Sequence, residues 1–289
     1  MKLIERKKCP YCKSINLKFL YRANYNTNIF KNFFVEYYNN KEILDILKFN
    51  VYEISECIKC NGLFQKFIPD NNLSYYVYEK LISYKKSFNK KKNIALTNYK
   101  EYLLDSEIIK KLFKKENNQI KILEFGCGWG FWAKFMKELN FNVDAIEISD
   151  TRLDFLKKNR IQNYKNINEL DKKYDLIFSN QVLEHIPNPF QTMKDLCNKL
   201  NTNGFMYHKF PSSFNFKKKL SKNYKPQKDC AHPLEHINIY TKKSFLIMVK
   251  KLRLQIINPI YLKNISIIDK VILLKNYLLF NTAILKKIN

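Results

Sequence analysis

Residues 120–131 read Ile-Lys-Ile-Leu-Glu-Phe-Gly-Cys-Gly-Trp-Gly-Phe, and this stretch decides the fold. The chain has 289 residues and only five glycines, of which three are Gly126, Gly128 and Gly130. An apolar run typical of a buried strand precedes them, and a helical pattern over residues 131–139 follows them. Because glycine lets the backbone turn sharply and approach a ligand, the pattern predicts a ligand-binding turn between a strand and a helix. The alternative is a tight turn with a capping acid.

Strand and helix patterns alternate around this turn. The predicted strands cover residues 120–125, 142–148, 174–179, 205–210 and 255–261, and the predicted helices cover residues 98–115, 131–139, 150–159, 190–200 and 241–252. Such alternation predicts right-handed βαβ units and a mostly parallel sheet, which is an α/β fold. The polar stretch 212–238 is predicted to be a functional loop because of its length.

Four cysteines form two C-x-x-C knuckles, Cys9-Pro-Tyr-Cys12 and Cys57-Ile-Lys-Cys60. Each knuckle aims two thiolates at one point, and four thiolates suit a tetrahedral zinc ion. Gly62 follows the second knuckle, where such turns often need a positive φ, so we expect it to supply a left-handed conformation. We therefore expect a zinc-ribbon-like module over residues 1–72 with a structural zinc. The gap between the knuckles exceeds the usual spacing of about 15–20 residues, and a helix near residues 41–49 is expected to fill it. A redox pair is the alternative. Three further cysteines are read as ordinary residues: Cys127, Cys197 and Cys230.

The formal charge is +26, from 52 Lys and Arg residues against 26 Asp and Glu residues. A basic excess of this kind is typical of proteins that bind nucleic acids or anionic membranes. Only five of the 52 basic residues are Arg, which binds phosphate through two parallel hydrogen bonds. Nucleic acid is therefore not the favoured partner. Substrate steering and compositional drift are two further origins of such an excess.

The two ends of the chain bear on location. The first residues have no apolar signal core, and no uncharged run of about 18 apolar residues is present, so we expect a cytoplasmic protein. The apolar tail, residues 263–289, is predicted to form the last strand and a helix covering the sheet. It could instead lie on a membrane surface or form an oligomer contact.

Three strings of the sequence resemble the class I S-adenosylmethionine-dependent methyltransferases. They are Ile122-Leu-Glu-Phe-Gly-Cys-Gly-Trp-Gly130, Ala145-Ile-Glu-Ile-Ser149 and Tyr174-Asp-Leu-Ile-Phe-Ser-Asn-Gln-Val-Leu-Glu-His-Ile-Pro-Asn-Pro189. The match spans about residues 119–262, after a helical connector at residues 73–118. It implies a Rossmann-like sheet that binds S-adenosylmethionine.

The resemblance implies cofactor-binding roles for eight residues. The amino-acid part of the cofactor would be held by Glu124 and by the turn that contains Gly126, Cys127, Gly128 and Gly130. Glu147, which ends the next strand, would accept the two ribose hydroxyls. Asn180 and Gln181 would leave the fourth strand beside the sulfonium. Residues 162–170 depart from the family pattern where the adenine contact is expected.

Candidate catalytic residues are His185, Glu235 and His236. The Glu235-His236 string resembles one that sugar methyltransferases carry near the acceptor. A neutral imidazole oriented by a carboxylate can act as the general base for a hydroxyl, so His236 is expected to be the base and Glu235 its orienting partner. His185 is the competing base or a structural residue. His208 is expected to pack within a strand.

A zinc module ahead of this core resembles the sugar methyltransferases of deoxysugar and surface-glycan pathways. It implies methyl transfer to a hydroxyl of a nucleotide- or lipid-linked sugar, with peripheral membrane contact through the tail. One alternative is a sugar C-methyltransferase, although that branch continues into a further C-terminal domain. The others are an RNA or protein methyltransferase that docks the polymer on the basic module, and a cofactor-binding scaffold. The oligomeric state stays open.

Overall fold

The structure is a computed structural model that describes residues 1–97, 99–220, 224–258 and 281–288. The strands, in chain order, are β1 (Leu3–Glu5), β2 (Leu17–Asn24), β3 (Val51–Cys57), β4 (Leu63–Gln65), β5 (Phe67–Pro69), β6 (Lys121–Phe125), β7 (Asn142–Ile146), β8 (Gln162–Tyr164), β9 (Tyr174–Asn180), β10 (Leu200–Lys209), β11 (Asn238–Ile239), β12 (Leu254–Ile257) and β13 (Thr282–Lys287). The helices are α1 (Asn28–Tyr38), α2 (Glu42–Leu47), α3 (Asn71–Tyr76), α4 (Tyr84–Thr97), α5 (Tyr99–Leu112), α6 (Phe131–Glu138), α7 (Asp150–Lys158), α8 (Pro189–Asn198), α9 (Phe216–Leu220) and α10 (Lys242–Lys251).

The chain divides into two compact units. The first comprises Met1–Lys86, Leu183–Phe190 and Pro211–Met248, and the second comprises Ser87–Val182, Gln191–Phe210 and Val249–Asn289. Two segments from the second half of the sequence thus belong to the first unit. The four-part division drawn from the sequence stays a prediction of domain organisation.

The second unit is built on a seven-stranded sheet in the order β12-β13-β10-β9-β6-β7-β8. The five strands β10, β9, β6, β7 and β8 are parallel to one another. β13 is antiparallel to both β10 and β12. This topology confirms the predicted α/β sheet, which is mostly parallel and Rossmann-like.

The glycine turn links β6 to α6, and its last glycine explains how closely the neighbouring helix packs. Gly130 is the N-cap of α6 and has a φ of +65°. A Cβ atom at this position would lie 2.2 Å from Cδ2 of Leu156 in α7. Leu156 itself is fully buried in the core of this unit. Any larger residue would therefore strain the backbone and displace the buried Leu156 side chain.

The first unit contains a four-stranded antiparallel sheet in the order β11-β4-β3-β2 and a separate pairing of β1 with β5. Tyr11 joins two strands of the larger sheet, because its hydroxyl donates to Leu63 O (2.7 Å) and accepts from Ile239 N (2.8 Å). An aromatic core fills this unit, and it includes Phe30, Phe34 and Tyr52. Two of these three side chains come from α1.

The elements expected from the sequence occur near their predicted positions in the second unit. The predicted helix at residues 98–115 is α5, and the predicted strand at residues 205–210 begins earlier, as β10. β8 and α1 were not predicted. The predicted helix near residues 41–49 is α2. Residues 259–261 of the last predicted strand, and residues 263–280 of the apolar tail, lie outside the described residues. Residues 282–287 form β13.

In the part of the chain that the structure describes, no helix combines the length and apolar character that crossing a membrane requires.

Candidate active site and metal centre

The glycine turn opens toward free space at its centre. Gly126, Gly128 and Gly130 have φ values of +71°, +58° and +65°, so all three lie in the left-handed region that favours glycine. A Cβ atom on Gly128 would meet no other atom within 4 Å, whereas one on Gly126 would lie 2.6 Å from Val182. The two outer glycines are thus required by packing, and Gly128 leaves its backbone accessible to a ligand.

Glu147 lies directly after β7 and supports the turn from the next strand. Its Oε2 accepts from Gly128 N (2.8 Å), and its Oε1 accepts from Ser149 N (3.0 Å). Arg152 Nη1 lies 3.4 Å from Oε1. The side chain is nearly buried, and burial raises its pKa above the ordinary value, while Arg152 and the two backbone donors oppose that shift. Carboxylate oxygens have further lone pairs, so this group can also accept ligand hydroxyls.

Glu124 is the second buried acid of the turn. It is the penultimate residue of β6, and its Oε2 accepts from Ala133 N in the first turn of α6 (3.0 Å). Burial raises the pKa of Glu124 to about 8, and the nearby Glu147 charge acts in the same direction. A buried acid with a raised pKa is ready to receive a cation, because a positive charge beside it restores the ionised form.

Asn180 and Gln181 occupy the carboxyl end of β9, and both are exposed. Gln181 has a φ of +57°, and its N–H donates to Lys209 O at the end of β10 (2.9 Å). Cys127 lies between the first two glycines and is partly buried. The eight predicted cofactor-binding residues therefore occupy the turn after β6 and the ends of β6, β7 and β9, all within the second unit.

Sequence reasoning missed two residues around this turn, Ile148 and Arg152. Ile148, directly after Glu147, keeps 67% of its side chain exposed. Arg152 in α7 pairs with Glu147 and lies over the ring of Trp129, 5.8 Å from its centroid. The sequence did not single out Ile148, because an apolar residue after a strand gives no sign of being exposed until the structure is known. The spacing of Arg152 gave no signal either.

The four knuckle cysteines meet in the first unit. Their sulfur atoms all lie within 4.8 Å of one another, and the four residues are buried. Cys9 Sγ lies 3.5 Å from Cys60 Sγ, and Cys12 Sγ lies 3.5 Å from Cys57 Sγ. These separations are too long for disulfides. They are close to the ~3.8 Å edge of a tetrahedron of thiolates around zinc, which follows from Zn–S bonds of about 2.3 Å. The donor set therefore fits zinc.

The backbone of the knuckles corrects one detail of the sequence reading. Gly62 was expected to supply a left-handed conformation, but that conformation belongs to Lys13 and Asn61, with φ values of 65° and 56°. Glycine is required at position 62 for another reason, since a Cβ there would lie 2.3 Å from Cδ2 of Tyr11.

Two of the three candidate catalytic residues, His185 and His236, meet in the first unit. One ligand atom each from Glu184, His185 and His236 lies within 4.8 Å of the others, and the two imidazole ring centroids are 4.8 Å apart. The Tyr78 hydroxyl lies 2.7 Å from His185 Nδ1. Burial lowers the pKa of His236 to about 3, and the neighbouring histidines act in the same direction. His236 is therefore neutral near pH 7, the form that can accept a proton, and the same burial makes it a weaker base than a free imidazole.

The group that orients His236 differs from the expected one. His236 Nδ1 contacts the backbone carbonyl of Asp229, whereas Glu235 Oε1 accepts from the Tyr38 hydroxyl (2.7 Å) and lies 3.2 Å from His232 Nε2. Burial disfavours the charge on Glu235, yet the His232 hydrogen bond and nearby positive charge lower its pKa to about 2. Glu235 is thus ionised beside His232. The Asp229 carbonyl binds only Nδ1 of His236, so Nε2 is the nitrogen that could accept a proton.

His208 belongs to β10 of the second unit. It is fully buried, and its Nδ1 lies 2.7 Å from Ser179 Oγ on the neighbouring strand. This location agrees with the expected packing role.

The sheet order, the glycine turn and the acid after the second parallel strand together define a class I methyltransferase fold. A model of the methyltransferase domain family matches residues 97–258, so the chain belongs to that family. The matched domain contains the glycine turn and both of its buried acids.

Several curated proteins resemble part of the chain in sequence. "Ubiquinone biosynthesis O-methyltransferase" from Rickettsia bellii (strain OSU 85-389) is 34% identical over 108 residues, which cover 34% of this chain and 45% of the relative. The protein of the same name from Shewanella pealeana is 26% identical over 98 residues, covering 30% and 42%. The chain thus spans less than half the length of these curated relatives. Their names refer to ubiquinone and not to a sugar.

Two solved structures share the fold. The plantazolicin methyltransferase BpumL in complex with SAH has a TM-score of 0.50 and 16% identity, and it covers 75% of this chain and 94% of its own. The plantazolicin methyltransferase BamL, solved with a triazolic desmethylPZN analog and SAH, has a TM-score of 0.52 and 13% identity, covering 74% and 94%. At these identities the likeness shows the fold alone.

Proposed function

We propose that this methyltransferase methylates a hydroxyl oxygen of a small acceptor. The observation that carries the proposal is the open backbone at Gly128 beside two buried acids, Glu124 and Glu147. S-adenosylmethionine, when bound, supplies a methyl group on a sulfonium, which is already a good leaving group. The protein then has to align the acceptor and remove one proton.

The residues of the turn fit the chemical groups of the cofactor. Glu147 would accept the ribose hydroxyls with the lone pairs that Gly128 N and Ser149 N do not use. Glu124 would face the ammonium of the amino-acid part. Ile148 would pack its exposed apolar side chain against the adenine face. It would thus provide the adenine contact for which residues 162–170 gave no candidate. Asn180 and Gln181 would line the methyl-bearing end.

The proposal of oxygen as the methylated atom draws on two observations. The curated relatives are named O-methyltransferases. The first unit also carries a neutral imidazole, His236, with one nitrogen held by a backbone carbonyl. Such a group can take a hydroxyl proton, and Glu235, ionised against His232, would stabilise the charge that then forms in the cluster.

Two classes of acceptor remain for the test to separate. The sugar hydroxyl expected from the sequence draws on the Glu235-His236 string, and a phenolic hydroxyl of a quinone precursor draws on the names of the relatives. Both classes present an oxygen nucleophile to the same cofactor. We keep the sugar acceptor as the first candidate, because a phenol ionises readily and has less need of a dedicated base.

The four-cysteine cluster completes the proposal as a structural zinc centre. All four ligands come from the protein, and the residues are buried, which is typical of closed structural sites. Its role would be to hold the knuckles of the first unit together.

The function is tested by product analysis with methyl-labelled S-adenosylmethionine. Nucleotide-linked sugars, phenolic quinone precursors and RNA are supplied separately, and the labelled product is identified by mass spectrometry. Label on an oxygen of a small acceptor is expected. Label on RNA, on protein or on carbon would contradict the proposal, and cofactor binding without transfer to any acceptor would indicate a scaffold.

His236→Ala is expected to lower turnover about 10²–10⁴-fold with the true acceptor, since general bases typically contribute that much. Cofactor affinity should stay within about twofold. His185→Ala is the matched variant, because His185 belongs to the same cluster. Loss of turnover in His185→Ala alone would identify His185 as the base. Full activity in both variants would show that the enzyme aligns the acceptor and needs no general base.

A further inference from the structure

A buried carboxylate on α5 gathers three donors from other elements of the second unit. Asp105 is 1% exposed, and its Oδ1 accepts from the Tyr207 hydroxyl (2.7 Å). Its Oδ2 accepts from Trp132 Nε1 (3.1 Å). Lys209 Nζ lies 2.7 Å from Oδ1 and 2.9 Å from Oδ2. No pattern in the sequence singles out this cluster, and neither the glycine turn nor the histidine cluster uses it.

Lys209 occupies the edge of the sheet where the turn residues lie. It is the last residue of β10 and the register partner of Asn180 on β9. Its carbonyl also accepts from Gln181 N, which fixes the exit of β9. Register partners on parallel strands point to the same face, and adjacent strands are about 4.8 Å apart. Lys209 and Asn180 therefore lie side by side.

The charge at this edge is uneven. The parallel strands β6, β7, β9 and β10 end at Phe125, Ile146, Asn180 and Lys209. Of these four terminal residues, Lys209 alone is a cation. The two buried acids, Glu124 and Glu147, also belong to this edge. A ligand with both a positive and a negative group would thus meet acids at β6 and β7 and a cation at β10.

The neighbours of Lys209 fix its ammonium in a position where it can also contact a ligand. It shares Oδ2 of Asp105 with the indole N–H of Trp132, a residue in the first turn of the helix that follows the glycine turn. The Lys209 side chain is 17% exposed. An ammonium has three N–H donors, and the described contacts of Lys209 direct two of them at the two oxygens of Asp105. The third can donate to a ligand.

We infer that Lys209, oriented by Asp105, binds the carboxylate of the amino-acid part of the cofactor. This inference rests on the proposed function, in which Glu124 faces the ammonium of the same amino acid. Lys209 and Glu124 then form a complementary pair for the two charges of that group. Asp105 acts as a positioning residue, because it fixes the Lys209 side chain against the aromatic wall of Phe178 and Tyr207.

The test compares two ligands that differ in the amino-acid part. S-adenosylhomocysteine carries the carboxylate, and methylthioadenosine lacks the whole amino-acid group. Calorimetry on the full chain should show that Lys209→Met weakens S-adenosylhomocysteine binding at least tenfold, because the carboxylate loses a charged hydrogen-bond donor. Methylthioadenosine affinity should change less than twofold. Lys209→Arg, which keeps the charge, should recover most of the loss.

Lys172→Met is the matched control, because Lys172 also pairs with a buried acid of this unit, Asp144 (2.6 Å), and it precedes β9. It should leave both affinities unchanged. Equal losses for both ligands in Lys209→Met, or none for S-adenosylhomocysteine, would overturn the inference. If Lys209→Met does not fold, Lys209→Gln takes its place with the same expected ratio. Failure of the unaltered protein to bind S-adenosylhomocysteine would overturn the proposed function as well.

Discussion

The glycine turn and the four-cysteine cluster differ in how complete they are without a ligand. At the turn, the buried acids Glu124 and Glu147 already accept hydrogen bonds from the backbone of Ala133, Gly128 and Ser149. In the cysteine cluster, the four buried sulfur atoms lie within 4.8 Å of one another, and ionised thiolates this close together repel one another unless a cation lies between them. The first site is thus built by the fold before any ligand binds. The second, if it holds zinc, depends on the ion for its own stability.

This difference predicts that damage to the cysteine cluster affects folding, whereas damage to the turn affects binding. Each of the following tests separates the two regions on that basis.

Cys57→Ser should have the largest effect. The unaltered protein is expected to contain one zinc ion per chain, and the variant should lose it together with the ordered first unit. Structural zinc contributes about 10–16 kcal/mol to small folded modules, so loss of one thiolate is severe. Metal analysis and thermal unfolding measure the two outcomes. Cys230→Ser is the control, because Cys230 is another buried thiol of the same unit. A metal-free protein with disulfides between the knuckles would contradict the zinc proposal.

Glu147→Ala should weaken S-adenosylhomocysteine by about 2–3 kcal/mol, or roughly 30–150-fold, since two ribose hydroxyls lose a charged acceptor. The fold should survive, because the sheet around this residue is unchanged. Glu138→Ala, at the exposed end of α6, is the matched control and should bind normally. Unchanged affinity in Glu147→Ala would contradict the ribose assignment, and unfolding of the variant would erase the contrast between the two regions.

The pH dependence of binding should show a smaller effect. In the folded protein the pKa of Glu124 is raised to about 8 from an ordinary 4.5, so the group is mostly protonated at pH 7. An ammonium beside it requires the ionised form. Affinity for S-adenosylhomocysteine should therefore rise about tenfold between pH 6.5 and pH 8, with release of a proton that calorimetry in two buffers detects. Glu124→Gln should remove this dependence.

The same shift affects the stability of the ligand-free protein. A carboxyl group whose pKa is raised on folding contributes stability that is present below about pH 4.5 and is lost as the pH rises through about 8. The unaltered protein should thus lose stability relative to Glu124→Gln across that window in thermal melts. Identical profiles would contradict the raised pKa.

Features that are determined by residues adjacent in the sequence could be predicted from it. The turn after β6 was recognised because its glycines, the preceding strand and the following helix are contiguous. α1 was missed because its Phe, Tyr and Val residues favour strands, and packing against the aromatic core of the first unit decides its helical state. The reason for glycine at position 62 was predicted wrongly. A side chain there would collide with the ring of Tyr11, which is distant in sequence.

Residues brought together from distant segments could not be assigned. Asp105 is one polar residue in a helical pattern, and only the folded chain places Tyr207 and Lys209 beside it. In the same way, Asp229 was not predicted to orient His236, because the contact is made by a backbone carbonyl. Backbone atoms are the same in every residue, so no sequence pattern marks them.

The central claim is that the cofactor lies against Gly128, and one variant tests it most directly. Asn tolerates the left-handed conformation, and a Cβ at this position meets no protein atom within 4 Å, so Gly128→Asn should fold. Its side chain would occupy the space assigned to the cofactor. Calorimetric titration with S-adenosylhomocysteine should give one micromolar site in the unaltered protein and at least hundredfold weaker binding in Gly128→Asn. Equal affinity in a folded Gly128→Asn would contradict the account.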